Sequence, residues 1–147
     1  MEINLFIESF PNLTVNEKLY MLQMMKEDPS VSRADKRKFY DKLDSDTAYF
    51  ARCFLGHIVP EVPEFHKEIY ANMDSMDEDQ QFFAGILFRG AAKSTIKSIF
   101  AIKSICHQNH PVIMLMSEAE DQALKDLGGI TTLSRLTEFE LLIFIFF

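Results

Sequence analysis

Apolar residues recur at intervals of three and four through the first half of the chain and predict a series of amphipathic helices. Thr14 and Glu17 have the spacing of a capping box, which places a helix start between them. Three further starts are indicated by small polar residues or proline, at Ser32, at Ser45-Asp46-Thr47 and at Pro63. We therefore predict a helical segment over residues 1–80.

The second half of the chain has a different pattern, in which uninterrupted apolar runs alternate with helical periodicity. The run from Phe82 to Phe88 lacks alternation, as is typical of a buried parallel strand, and Val112–Met116 is a second such run. A helix is predicted from Ser94 to His107, with its inward side including Ile105, and another from Glu118 until Gly128-Gly129 stops it. The order strand, helix, strand, helix predicts an α/β fold, with a partial parallel sheet after the helical segment.

The acidic stretch Asp74–Gln80 separates the two patterns, and a third pattern begins near Thr131. We predict a partial α/β core over residues 81–130 and an atypical apolar tail over residues 131–147. The tail ends in seven apolar residues and is interpreted either as a third strand of a longer protein or as sequence joined by truncation or a frame change. The chain is accordingly expected to be a truncated form.

Composition narrows the classes of function. The 147 residues carry a formal net charge of -7, which argues against nonspecific binding of nucleic acid by the whole surface. Lys93, Lys97 and Lys103 form a local basic cluster. The two cysteines, Cys53 and Cys106, fit buried thiols in a reducing compartment. Because no stretch reaches the roughly 18 apolar residues of a spanning helix, no membrane partner is expected.

The candidate chemistry lies between the first predicted strand and the helix after it. A Walker A loop requires glycine six residues and one residue before its lysine, and Leu87 and Ala92 occupy those positions here. The small residues would still let backbone N–H groups approach an anion, while Lys93 reaches the phosphates and Ser94 coordinates Mg²⁺. The alternative is that Ser94 only caps a helix. The residues predicted to bind phosphate are Gly90, Ala91, Ala92, Lys93, Ser94 and Thr95.

Several segments together resemble a known family. FRGAAKST, the apolar helix after it, VIMLMS and EAEDQALKDL are similar to the ATPase domain of the large terminase subunit of tailed bacteriophages. The preceding stretch, FARCFLGHIVPEVPEFHKEIYANM, resembles the segment that leads into many of these ATPases. The resemblance covers about Tyr49 to Leu127. It also extends to Arg89, because loops of this family commonly carry arginine four residues before the lysine.

The resemblance implies a motor that uses ATP and Mg²⁺ to translocate double-stranded DNA into a capsid, in the cytoplasm of the bacterial host. Its implied partners are the DNA, the portal protein and the small terminase subunit. Arg89 would be the catalytic residue that stabilises the γ-phosphate. Phe65 is expected in the core, and His66 and His57 are expected to form structural hydrogen bonds.

Two family features are missing. No apolar strand ends in the Asp-Glu pair of a Walker B motif, and the nuclease carboxylates are absent. We therefore expect an N-terminal fragment that binds nucleotide weakly and does not turn it over. Two alternatives remain: another P-loop enzyme, such as a helicase-like ATPase or a kinase, and a non-catalytic helical interaction module.

Overall fold

The described part of the chain folds as a set of packed helices. The computed structural model describes residues 2–56, 59–76, 86, 88–107, 113–114, 116 and 119–134. Each helix in these ranges is too short or too polar to cross a bilayer. A short 3-10 turn at Phe10–Asn12 follows the first helix. The helices are α1 (Ile3–Ser9), α2 (Val15–Glu27), α3 (Arg33–Ser45), α4 (Thr47–Phe54), α5 (Glu64–Asp74), α6 (Lys93–His107) and α7 (Glu120–Ser134).

The helix starts predicted in the first half are confirmed, because capping depends on residues close together in the chain. Thr14 and Glu17 form both hydrogen bonds of a capping box at the start of α2. Ser32 caps α3 through its hydroxyl, and Asp46 is the member of its predicted trio that caps α4. Pro63 immediately precedes α5. The side chains of Thr14, Ser32 and Asp46 each accept a hydrogen bond from an N–H group that has no acceptor inside the helix.

The predicted α/β fold is wrong, because the described residues contain helices and no strand. Of the two apolar runs predicted as strands, only residues 86, 88, 113, 114 and 116 are described, and none of them lies in a sheet. Their side chains are exposed, Ile86 fully and Met116 to 82%. The other residues of both runs lie outside the described ranges. An apolar run predicts burial, but it does not identify the backbone that would pair with it.

The predicted stop of the last helix is also wrong, since α7 continues through Gly128-Gly129 to Ser134. Glycine inside a helix costs about 1 kcal/mol relative to alanine. Ile130 lies beyond the glycines and is buried in the core, which favours continuing the helix. Thr131 and Thr132 also donate their hydroxyl groups to carbonyl groups one turn earlier. Residues 135–147 of the predicted tail lie outside the described ranges.

One hydrophobic core joins helices from before and after residue 80. Phe10 packs edge-on against Phe39 at a centroid distance of 5.0 Å, and Phe50 in α4 has no exposed surface. Helix α6 contributes Ile99 and Ile102 to the same core, whereas Ile105, predicted to point inward, is 47% exposed. Buried apolar surface is the largest favourable contribution to folding, so the two halves stabilise each other.

The prediction of two buried thiols is confirmed for both cysteines. Burial raises the pKa of Cys53 and of Cys106 to about 12 in each case. Because the thiolate is the reactive form of cysteine, both side chains act as small core residues rather than as nucleophiles.

The basic cluster predicted on α6 is not a continuous surface. Lys103 is buried, and its ammonium group contacts Asp74 Oδ1 at 2.6 Å. Asp74 also accepts hydrogen bonds from the backbone N–H and the hydroxyl group of Thr47, at 2.7 and 2.6 Å. These three residues, called here the Asp74 clamp, join the start of α4, the end of α5 and the middle of α6.

Candidate phosphate-binding loop

A tight turn over residues 88–92 leads directly into α6. The N–H of Ala91 donates to the carbonyl of Phe88 at 3.3 Å and closes the turn. Gly90 has φ +91° and Ala92 has φ +53°, whereas Ala91 between them is not in the positive-φ region. When successive residues alternate between left-handed and right-handed backbone conformations, their N–H groups can point into one concavity. Such a concavity can bind an anion.

The two positive φ angles have different causes. A Cβ atom added at Gly90 would meet nothing within 4 Å, so lack of space does not require glycine there. The positive φ does. Ala92 has a Cβ atom, and the left-handed conformation costs such a residue about 1–2 kcal/mol. Strain of this kind persists only where surrounding contacts hold it. Ala91, at 2% exposure, supplies one such contact by packing inward.

Replacing Gly90 with alanine is therefore expected to lower the free energy of unfolding by about 1–2 kcal/mol. The matched control is Gly128→Ala in α7, where an added Cβ also meets nothing within 4 Å but φ is not positive. That change should stabilise the protein by about 1 kcal/mol, as glycine-to-alanine changes do inside helices. Urea unfolding of both variants checks the opposite signs. Equal effects at the two positions would contradict the positive φ of Gly90.

The first turn of α6 places three more predicted residues beside the loop. The first i to i−4 bond runs from Ile96 N to Ala92 O at 3.0 Å. The N–H groups of Lys93, Ser94 and Thr95 precede it, so they have no acceptor within the helix. Ser94 is exposed and Thr95 half-buried. These N–H groups and the positive end of the helix dipole favour an anion at this position.

Lys93 lies across the mouth of the turn. Its Nζ donates to the carbonyl of Phe88 at 3.0 Å, five residues earlier in the chain. Arg89, at the tip of the turn, is exposed. Lys97, one turn further along α6, is paired with Asp126 in α7, so its charge is compensated. Arg89 and Lys93 are the two cationic side chains within the loop segment itself.

All seven predicted site residues lie in one contiguous segment, Arg89–Thr95, and the structure adds neighbours from α5. His66 Nε2 lies 3.0 Å from the carbonyl oxygen of Ala91. This confirms His66 as a structural hydrogen-bonder, although nothing in the sequence indicated a partner 25 residues away. Phe65, expected in the core, is 37% exposed and packs against Phe88 at 5.6 Å. His57 lies outside the described ranges.

Metal-binding side chains are not gathered anywhere in the described part of the chain, where no three of His, Cys, Asp or Glu lie close enough to hold an ion. Ser94 offers one hydroxyl oxygen, on the residue after Lys93. Mg²⁺ commonly takes one or two protein ligands and completes its shell with water and phosphate oxygens. The loop thus fits a Mg²⁺ ion that arrives with a nucleotide.

The whole chain, including the loop, was compared with known proteins. Searches against protein-family models, curated proteins and solved structures found no match to this chain.

Proposed function

We propose that the segment Arg89–Thr95 binds the phosphate groups of ATP together with Mg²⁺. The observation that carries this proposal is the alternation of backbone hand at Gly90 and Ala92, followed immediately by Lys93 at the start of α6. Backbone N–H groups, a helix N-terminus and an ammonium group are therefore all supplied by this one short segment. Each of these three features favours a phosphate group.

Lys93 supplies the full positive charge. When a phosphate is bound, its ammonium group donates hydrogen bonds to the phosphate oxygens. A hydrogen bond between an ammonium group and a phosphate oxygen is charge-assisted and belongs to the stronger hydrogen bonds in proteins. Gly90, Ala91 and Ala92 have small side chains, which leaves the backbone accessible to the phosphates.

Arg89 and Ser94 act on either side of Lys93. The exposed guanidinium of Arg89 reaches toward the terminal phosphate, and the hydroxyl of Ser94 binds the Mg²⁺ ion. The ion neutralises phosphate charge. Because the sequence contains no Asp-Glu pair at the end of an apolar strand, the proposed activity is nucleotide binding without turnover.

The wider assignment is to the N-terminal, phosphate-binding part of a large terminase subunit, in a phage or prophage. Its support is the resemblance in sequence between Tyr49 and Leu127. Under this assignment, the proposed partners are double-stranded DNA, the portal protein and the small terminase subunit. The proposed location is the cytoplasm of the bacterial host. The proposal concerns the loop and its helix and includes no sheet.

Nucleotide-dependent stabilisation tests the phosphate-binding proposal. Thermal unfolding of the wild-type protein should shift upward with ATP and Mg²⁺, since a ligand that binds only the folded state adds RT ln(1 + [L]/Kd), about 2.7 kcal/mol at 100 times Kd. Lys93→Ala should abolish the shift. No phosphate should be released over hours in a hydrolysis assay.

Lys97→Ala is the matched control, because it removes the same side chain one turn further along α6. Loss of its pair with Asp126 lowers the starting stability but leaves the loop intact. The nucleotide-dependent shift should therefore persist in this variant. If ATP with Mg²⁺ leaves the wild type unchanged, or if Lys93→Ala retains the full shift, the phosphate-binding proposal fails.

A helical interaction module is a second candidate, and one observation favours it. Leu124 and Leu127 are 58% and 53% exposed on α7. They are three residues apart, so they lie on one face of the helix. An amphipathic partner could pack against this face. A protein that does not respond to nucleotide but loses self-association or partner binding with Leu124→Ser would support this candidate instead.

A further inference from the structure

His66 connects α5 to the candidate loop through a buried hydrogen bond. The residue is 7% exposed, and its Nε2 lies 3.0 Å from the carbonyl oxygen of Ala91. A carbonyl oxygen only accepts hydrogen bonds, so Nε2 carries the proton and donates. The ring of Phe65, with its centroid 4.3 Å away, packs edge-on against the imidazole and restricts its rotation.

The hydrogen bond from His66 also orients the whole peptide unit between Ala91 and Ala92. The carbonyl of Ala91 and the N–H of Ala92 belong to the same planar trans peptide unit, so they point in opposite directions. Holding the oxygen toward His66 therefore directs the N–H of Ala92 away from α5. Ala92 also has φ +53°, which is unfavourable for alanine without a restraint of this kind.

We propose that His66 is a positioning residue for the loop: its Nε2–H holds the Ala91–Ala92 peptide unit so that the Ala92 N–H points to the bound phosphate. This inference rests on the proposed phosphate-binding function and adds a residue to it. His66 touches neither nucleotide nor metal, and acts only through the orientation of the backbone.

Two substitutions separate the hydrogen bond from simple packing. His66→Leu fills the buried site but has no donor, whereas His66→Gln offers an amide N–H close to the position of Nε2. Tyr70→Phe is the matched control, since it alters a neighbouring aromatic ring, 6.3 Å from His66 by centroids, and leaves the Ala91 carbonyl untouched. Circular dichroism establishes that each variant is folded.

The first readout is the backbone of Ala92 without nucleotide. In isotope-labelled protein, the φ-dependent scalar couplings of Ala92 should report a positive φ in the wild type, in His66→Gln and in Tyr70→Phe. His66→Leu should shift these couplings toward the ordinary negative range. Unchanged couplings in His66→Leu would overturn the inference, because the peptide would then be held without His66.

The second readout is the affinity for ATP with Mg²⁺. His66→Leu should weaken binding about five- to tenfold, which is the effect of losing one net hydrogen bond, and His66→Gln should restore most of it. Equal affinities of the leucine and glutamine variants would overturn the positioning role. If the wild type itself does not bind, the proposed function and this role fall together, while the couplings still show whether His66 sets the backbone.

Discussion

Asp74→Ala is expected to lower the free energy of unfolding by about 3–5 kcal/mol, the usual effect of leaving a buried charge without its partner. The side chains of Lys103 and Asp74 are 5% and 9% exposed, so little water can replace the lost contact. The substitution also removes the acceptor of the Thr47 N–H in the first turn of α4. Typical domains are stable by about 5–15 kcal/mol, so this loss is a large fraction of the total.

Urea unfolding measures the effect, and two further variants define its cause. Glu64→Ala removes an exposed ion pair with Lys67 and should change stability by about 0–1 kcal/mol. The double variant Asp74→Ala/Lys103→Met removes both charges and should be more stable than the summed effects of Asp74→Ala and Lys103→Met predict. A cost below about 1 kcal/mol for Asp74→Ala would show that the clamp is open to water.

Acid is expected to destabilise the protein through His107 at the end of α6. The side chain is buried against Tyr40 and Phe50, with ring centroids 4.9 and 6.0 Å away. Burial lowers its pKa from 6.5 to about 4; Asp44, 3.4 Å from Nδ1, opposes the shift and Lys103 adds to it. Between these values the unfolded chain binds a proton that the folded protein does not. Stability is therefore present above pH 6.5 and falls as the pH drops toward 4.

The loss should reach about 2–3 kcal/mol near pH 4, from the difference between the two pKa values. Urea unfolding of the wild type and of His107→Phe between pH 7 and pH 4 measures it. The phenylalanine variant keeps an aromatic ring beside Tyr40 and Phe50 but cannot titrate, so its stability should fall less. Asp44→Asn removes the attraction for charged His107 and should enlarge the loss near pH 4 and below, where folded His107 of the wild type begins to bind a proton. Parallel curves for the wild type and His107→Phe would contradict the prediction.

Lys103 in α6 shows that a sequence pattern can predict an exposed position for a residue that is buried. Lys103 belongs by sequence to a basic cluster with Lys93 and Lys97, yet it lies in the interior because Asp74 and Thr47 satisfy its charge there. A lysine side chain has the same sequence neighbours whether it is exposed or buried. Its burial depends on the acceptors that other helices supply. Asp74, which pairs with Lys103, lies 29 positions before it in the chain.

The error in fold class has a similar origin. Residues 82–88 and 112–116 are apolar enough for strands, and their pattern alone does not distinguish a strand from other apolar segments. A strand exists only when another backbone pairs with it. In the described part of the chain no such pairing occurs, and Ile86, Met114 and Met116 are more than two-thirds exposed. Apolar character predicted a partner that the tertiary structure does not supply to these residues.

The sequence by itself determined the features that depend on neighbours along the chain. These are the caps of α2, α3 and α4 and the start of α5 after Pro63. Only the tertiary structure decided the rest: the helical architecture, the continuation of α7 past its glycines, the Asp74 clamp and the contact of His66 with the loop. The physical reason is range. Caps and turns are formed by atoms a few residues apart, whereas buried charges and backbone pairing depend on groups that only folding brings together.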